Sequence, residues 1–341
     1  MKKILVLGAG AMGSAFTLPC IENKNKVILV GTHLENELVK NLNKNSFHPA
    51  LNANLPKNLK ISKFEAFQYE LKSNPDYIVL AVSSNGIEWA CNELIKNYKN
   101  KLSIILLTKG LTILNNEIST ISKKINSIFT KNGLPKQDIT SIKGPCLATG
   151  LINKIRTGTV IANKDISKAK AISKIISTDY YRTEISDDIN GVEAAGAIKN
   201  IYSMVIGASI GLSGEKLNNY VREKFYHNTA SVLFKNSLTE IKKFVKIMGG
   251  KENTAYGLAG LGDLYVSVVG GRNSLMGMYL GKGRLYLDVK KKDMKNITVE
   301  GADLAIEIGP KLLKKLKKKD FPIMFSLINA IYKNKKLKIN W

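Results

Sequence analysis

The chain has 341 residues, of which 44% are hydrophobic and 23% charged; that is too long for one ordinary core and too apolar for a disordered chain, so two globular domains are expected. The formal net charge of +25 comes mostly from lysine, because only Arg156, Arg182, Arg222, Arg272 and Arg284 carry a guanidinium. Base-reading surfaces favour the guanidinium fork, so the excess reads as a solvated basic surface and no specific nucleic-acid partner is expected. Cys20, Cys91 and Cys146 lie far apart without a CxxC pair, which points to a reduced cytoplasmic compartment and to no metal site.

The first twenty residues, MKKILVLGAGAMGSAFTLPC, begin like a secretory leader, with two lysines and an apolar run. Gly8, Gly10 and Gly13 cut that run, and their spacing has another explanation: KKILVLGAGAMG predicts a strand, a G-x-G-x-x-G turn and a helix, with KVILV (26–30) as a second strand at βαβ distance. Gly8 serves the tight turn, Gly10 lets a pyrophosphate approach the backbone, and Gly13 lets the helix pack on the sheet. The amides of Ala11, Met12 and Gly13 at the helix start would hold the phosphates. A free ribose 2′-hydroxyl calls for Asp or Glu at the end of the second strand, but VGTHLENE places Thr32 and His33 there. A 2′-phosphate is then tolerated, so NADPH is allowed as well as NADH. Glu35 and Glu37 are expected in the next helix.

Apolar segments then alternate with helical patterns: DYIVLAVS (76–83), LSIILLTKG (102–110), TGTVIAN (157–163) and YYRTEIS (180–186), with ISTISKKINSIF among the helices. This alternation predicts an α/β, doubly wound sheet of the Rossmann type over residues 1–188. Ligands bind outside the carboxyl ends of such strands, where Ser83, Ser84, Lys109 before Gly110, and KGP (143–145) fall. From about Asp188 the strands stop, and residues 189–341 read as an all-helical domain. GVEAAGAIKNIYSMVIGASIGL (191–212) is nearly all small and apolar yet carries Lys199 and Asn200, a costly placement for a charge unless it has a partner or a task. TASVLFKNSLTEIKKFVKIMGG (229–250) predicts an amphipathic helix ended by glycines, and YGLAGLGDLYVSVVGGRNSLMGMYLGKG (256–283) holds Asp263, Arg272 and Asn273 in otherwise uncharged surroundings.

The blocks GAGAMG, HPALNANLP (48–56), TKGL (108–111), GPCLA (144–148), AIKN (197–200), AGLGDL (259–264), GGRN (270–273) and VEG (299–301) follow one another over nearly the whole length. In this order they resemble the NAD(P)-dependent glycerol-3-phosphate dehydrogenase family, most closely its archaeal-type branch. The resemblance implies a C-terminal domain like that of 6-phosphogluconate dehydrogenase. It also implies interconversion of dihydroxyacetone phosphate and sn-glycerol 3-phosphate with NADPH, or NADH, for phospholipid synthesis. By the same resemblance Lys199 is the proton donor and acceptor, Lys109 the second active-site lysine and Asp263 the carboxylate near them. Lys109, Gly144, Lys199, Asp263, Gly271, Arg272 and Asn273 would contact the phosphorylated substrate. Gly8, Gly10, Ala11, Met12, Gly13, Thr32, Lys109, Ala148, Arg272 and Glu300 would contact the cofactor. A cytoplasmic homodimer without a transmembrane segment is implied as well. The chain departs from the family where GPTFA reads GPCLA, putting Cys146 in place of a hydroxyl, and where the segment from Asp263 to Arg272 is short.

Two other readings stand beside it. Lysine-dependent 2-hydroxyacid or ketopantoate-type reductases share the plan but place an asparagine one turn after the lysine, whereas here Lys199 and Asn200 are adjacent. A non-catalytic dinucleotide- or polyanion-binding protein would have no use for a buried proton donor.

Overall fold

Apolar runs that alternate with helices need a sheet covered on both faces, and the first part of the chain forms one. The structure is a computed structural model that describes residues 1–98, 100–213 and 219–339, with the side chains of 219–225 outside that set. It divides into two compact units: Met1–Lys109 with Ile121–Ile189, and Gly110–Thr120 with Asn190–Trp341.

The strands of the first unit's sheet are β1 (Lys3–Leu7), β2 (Lys26–Val30), β3 (Lys60–Ser62), β4 (Tyr77–Leu80), β5 (Ser103–Leu106), β6 (Asp138–Lys143), β7 (Thr157–Ala162) and β8 (Tyr181–Ser186). Their order is β8-β7-β6-β5-β4-β1-β2-β3. From β3 to β6 all pairs are parallel in the 3-2-1-4-5-6 order of a Rossmann sheet, whose topological switch lies between β1 and β4. Beyond it β7 runs antiparallel to β6, pairing Ile142 with Ile161, and β8 continues parallel to β7. The central strands are buried almost throughout, Ile4 to Leu7 and Val79 to Leu80 being fully covered. Edge strand β3, Lys-Ile-Ser, has too little apolar character to be legible as a strand.

Between β1 and α1 (Ala11–Glu22) the backbone turns at Gly8, whose φ of +112° only glycine adopts readily. A Cβ on Gly13 would lie 2.1 Å from the Gly8 carbonyl oxygen, so the helix approaches its own strand as closely as glycine allows.

In the second unit the helices dominate. Its one hairpin among the described residues, Leu111–Leu114 against Glu117–Thr120, turns at Asn115 and Asn116, both with positive φ. Asn-Asn tolerates the left-handed conformation that a two-residue hairpin turn demands. The helical pattern expected from Ile118 therefore begins as a strand, and its helix, α3, spans Ile121–Lys131.

The core helix α4 (Ile189–Leu212) is long and apolar enough to cross a membrane, but 89% of its most apolar window is buried inside the protein. Its small residues have a use. Helix α7 (Arg272–Gly281) crosses α4 so closely that a Cβ on Gly207 would lie 2.4 Å from the Ser274 carbonyl oxygen, and one on Gly277 1.8 Å from that of Met204. Gly277→Ala is therefore expected to lower stability by at least about 1–3 kcal/mol, since two backbones rather than flexible side chains would have to part. An unchanged urea midpoint would contradict this close crossing.

Helix α5 (Asn219–Ile247) begins ten residues before the amphipathic segment read from the sequence and ends ahead of Gly249, whose φ is +76°. It carries the buried Glu240, which accepts from the amides of Ile323 (2.8 Å) and Met324 (3.0 Å) at the start of α9 (Pro322–Tyr332) and from the Tyr202 hydroxyl (3.0 Å). Burial raises the Glu240 pKa, while these donors act the other way. Glu240 thus caps one helix from another across the core.

Candidate active site

In the first unit the N-terminus of α1 has no side-chain cap; its N-cap is Gly10, and Ala11, Met12 and Gly13 form the first turn. The nearest atom to a Cβ on Gly10 would be Glu35 Oε1 at 3.7 Å, an ordinary contact. The folded chain alone would tolerate a side chain at that position. With no Cβ at that position a pyrophosphate can approach the amides at the helix start. The glycine pattern therefore suits a dinucleotide.

The carboxylate absent from the end of β2 arrives from Glu35, three residues beyond Thr32. Glu35 does not lie within the next helix as expected; α2 (Asn36–Asn45) starts after it, and its side chain turns back over the glycine turn. Glu35 Oε2 accepts from the amides of Ala9 (2.9 Å) and Thr32 (2.7 Å). The peptide that follows is held by the Ala9 carbonyl oxygen, which accepts from the Ser14 hydroxyl (2.9 Å) and lies 3.0 Å from His48 Nε2. His48 is only 1% exposed and sits on the strand Phe47–His48 of the HPALNANLP block, to which the sequence alone assigned no task. It positions the turn, so His48→Ala is expected to weaken NADH and NADPH binding by the same factor, roughly 2–10-fold for one lost hydrogen bond. Selective loss of one dinucleotide in a fluorescence titration would contradict that role.

At the carboxyl edge of the same sheet Lys109 Nζ lies 3.5 Å from the Gly144 carbonyl oxygen, so these two expected residues meet. Gly144 has φ +155°, and a Cβ there would lie 2.9 Å from Thr159 Cα; the turn is closed by Cys146 N donating to Gly144 O (2.8 Å) and Thr157 Oγ1 to Pro145 O (2.8 Å). Ala148 opens the short helix Ala148–Ile152 that follows.

In the second unit Lys199 is 3% exposed, which excludes a lysine snorkelling to water. Its Nζ lies 2.8 Å from Asp263 Oδ1, with Asp263 equally buried, and donates also to Ser267 Oγ. Asp263 and Ser267 are four residues apart on α6 (Asp263–Val268) and so share a face. Ser267 was not anticipated, although that spacing was the signal that could have found it. Neighbouring residues on a helix point about 100° apart, so Asn200 reaches a different partner: its Nδ2 donates to Glu300 Oε2 (3.0 Å).

Glu300 opens α8 (Glu300–Glu307), and its other oxygen is 3.5 Å from an Arg272 guanidinium nitrogen. Both side chains are at least half exposed, so this pair contributes little to stability and is readily exchanged for another anion. Arg272 stands in the first turn of α7 after Gly271, an N-cap residue without side-chain cap. Asn273 Oδ1 accepts from Gly301 N (2.9 Å), which ties the starts of α7 and α8 together and leaves its Nδ2 to donate elsewhere. The second unit thus joins the buried pair Lys199–Asp263 with the part-buried Ser267 in one group, and the buried Asn200 with the exposed Glu300 and Arg272 in another.

Residues 3–169 match the family pattern of the NAD-dependent glycerol-3-phosphate dehydrogenase N-terminus, and residues 188–340 that of its C-terminus. The NADP(+)-dependent glycerol-3-phosphate dehydrogenase of Archaeoglobus fulgidus is 30% identical over 284 residues, covering 82% of this chain and 80% of that one. The crystal structure of glycerol-3-phosphate dehydrogenase from Coxiella burnetii shares the fold with a TM-score of 0.79 at 24% identity, covering 98% of this chain and 96% of that one. A ketopantoate reductase from Ralstonia eutropha covers 97% of this chain and 98% of its own but reaches a TM-score of only 0.51 at 14% identity. With both halves of the chain matched in order, it belongs to the NAD-dependent glycerol-3-phosphate dehydrogenase family.

Proposed function

We propose that this protein reduces dihydroxyacetone phosphate to sn-glycerol 3-phosphate, reversibly, with NAD(P)H. The observation that carries this reading is the Lys199–Asp263 ion pair, 2.8 Å long and buried in the region that matches the family's C-terminal half. A bound nicotinamide supplies the hydride. Lys199 stabilises the oxygen of the substrate's carbonyl as negative charge develops there, then donates it a proton. Asp263 and Ser267 hold the ammonium in one orientation, which spares it reorganisation during the reaction. In the reverse direction the same amine takes the proton back from the alcohol.

The substrate phosphate is held by Arg272, which exchanges its exposed contact with Glu300 for that anion, together with Asn273 Nδ2 and the open amides at the start of α7. The family resemblance assigns Lys109 to the substrate as well, and within its own unit Gly144 keeps the turn beside it. Gly8, Gly10, Gly13 and the amides of Ala11 and Met12 receive the pyrophosphate. The wide spacing of Cys20, Cys91 and Cys146 along the sequence supports a reduced, cytoplasmic compartment. A homodimer supplying glycerol phosphate for phospholipid synthesis follows from the family resemblance.

The test is the loss of reduced-nicotinamide absorbance on adding dihydroxyacetone phosphate, with unphosphorylated dihydroxyacetone and ketopantoate as comparison substrates. Turnover of the phosphorylated ketone at least a hundredfold above both is expected. Preference for ketopantoate would move the protein to the ketopantoate-type reductases.

A further inference from the structure

We propose that Glu35 selects the cofactor, favouring a free ribose 2′-hydroxyl and so NAD(H) over NADP(H); this rests on the dinucleotide reading of the glycine turn. Three observations carry it. First, the Glu35 carboxylate sits where the end of β2 meets the glycine turn, anchored through Oε2 by the amides of Ala9 and Thr32. Second, Oε1 lies over Gly10, 3.7 Å from where a Cβ would stand, and accepts no hydrogen bond from any described residue. The side chain is thus fixed by one oxygen and has the other free to accept from a ligand hydroxyl. Third, in a chain with 52 lysines and arginines, the connection Gly31–Glu35 and the first turn of α2 as far as Val39 carry none, but hold Glu35 and Glu37.

A carboxylate there accepts a hydrogen bond from a 2′-hydroxyl, whereas a 2′-phosphate brings a further charge of about −2 against it without a guanidinium or ammonium on that loop to offset the repulsion. Thr32 at the strand end, taken alone, suggests tolerance of the phosphate. The backbone amide of Thr32 instead serves to fix the selecting acid.

The experiment measures dissociation constants of NAD⁺ and NADP⁺ by calorimetry, for the parent and for Glu35→Gln, with ADP-ribose and its 2′-phosphate as probes free of the nicotinamide. Glutamine keeps an oxygen for the two amides and removes the charge. The parent is expected to bind NAD⁺ at least tenfold more tightly than NADP⁺, and Glu35→Gln to narrow that ratio at least tenfold. A parent that binds NADP⁺ as tightly as NAD⁺, or a ratio unchanged in Glu35→Gln, overturns the proposal while the dinucleotide reading stands. Binding of neither dinucleotide by the parent overturns both.

Should Glu35→Gln fail to fold, Leu34→Arg, at a side chain 83% exposed, gives the answer. A guanidinium beside the carboxylate is expected to raise NADP⁺ affinity at least fivefold and change NAD⁺ affinity less than twofold. No gain for NADP⁺ overturns the placement of the 2′-position at this loop.

Discussion

Lys199→Met is expected to lower kcat by at least a hundredfold. The loss of a positioned general acid is worth about 10²–10⁴-fold, and the loss of the charge that stabilises the developing oxyanion adds to it. Methionine preserves the length and the apolar stem against the small, buried faces of α4. Stability will not be spared, however, because Asp263 is as buried as the lysine it pairs with. Removing one member of a buried pair costs about 3–5 kcal/mol. The variant is therefore expected to melt earlier but still to bind the dinucleotide, whose glycine turn belongs to the other unit. Steady-state kinetics and a calorimetric titration on the same sample check both parts.

Arg272→Ala is expected to raise KM for dihydroxyacetone phosphate far more than it changes the dissociation constant of the dinucleotide. Truncating one partner of a charged hydrogen-bonded pair costs about 2–5 kcal/mol. The guanidinium is half exposed, so the lower end applies, roughly a thirtyfold rise in KM. Stability should hardly move, since the exposed contact with Glu300 contributes little. If the dinucleotide constant rises instead and KM for the ketone does not, Arg272 serves the cofactor and the phosphate must be held by Asn273 and the amides of α7.

The doubly wound sheet was legible because buried parallel strands read as continuous apolar runs, and the glycine spacing located the first turn. The short edge strand β3 and the hairpin at Asn115–Asn116 were not: the first has one apolar residue, and the second is dictated by two positive-φ asparagines rather than by hydrophobic periodicity. In the site, Lys199 stood out as a charge in an apolar helix, and the structure gives it Asp263 as partner. Glu35 was misplaced because the strand-end rule counts residues along the chain, while a flexible side chain three residues beyond Thr32 can turn back to the same place. His48 acts through a contact that arises only on folding, across 39 residues to Ala9, and no local pattern records such a distance. Ser267 meets Lys199 across 68 residues, and only its four-residue spacing from Asp263 on one helix marks it in the sequence.

The assignment of Lys199 is tested most directly by Lys199→Met combined with Asp263→Asn. Neutralising the carboxylate removes the unpaired charge left by the single substitution, so stability should recover most of what Lys199→Met loses. Turnover of dihydroxyacetone phosphate by the double variant, measured with its melting temperature and dinucleotide affinity, is expected to stay at least a hundredfold below the parent. Recovery of turnover to within tenfold, in step with stability, would contradict the account and reduce Lys199 to a structural partner of Asp263.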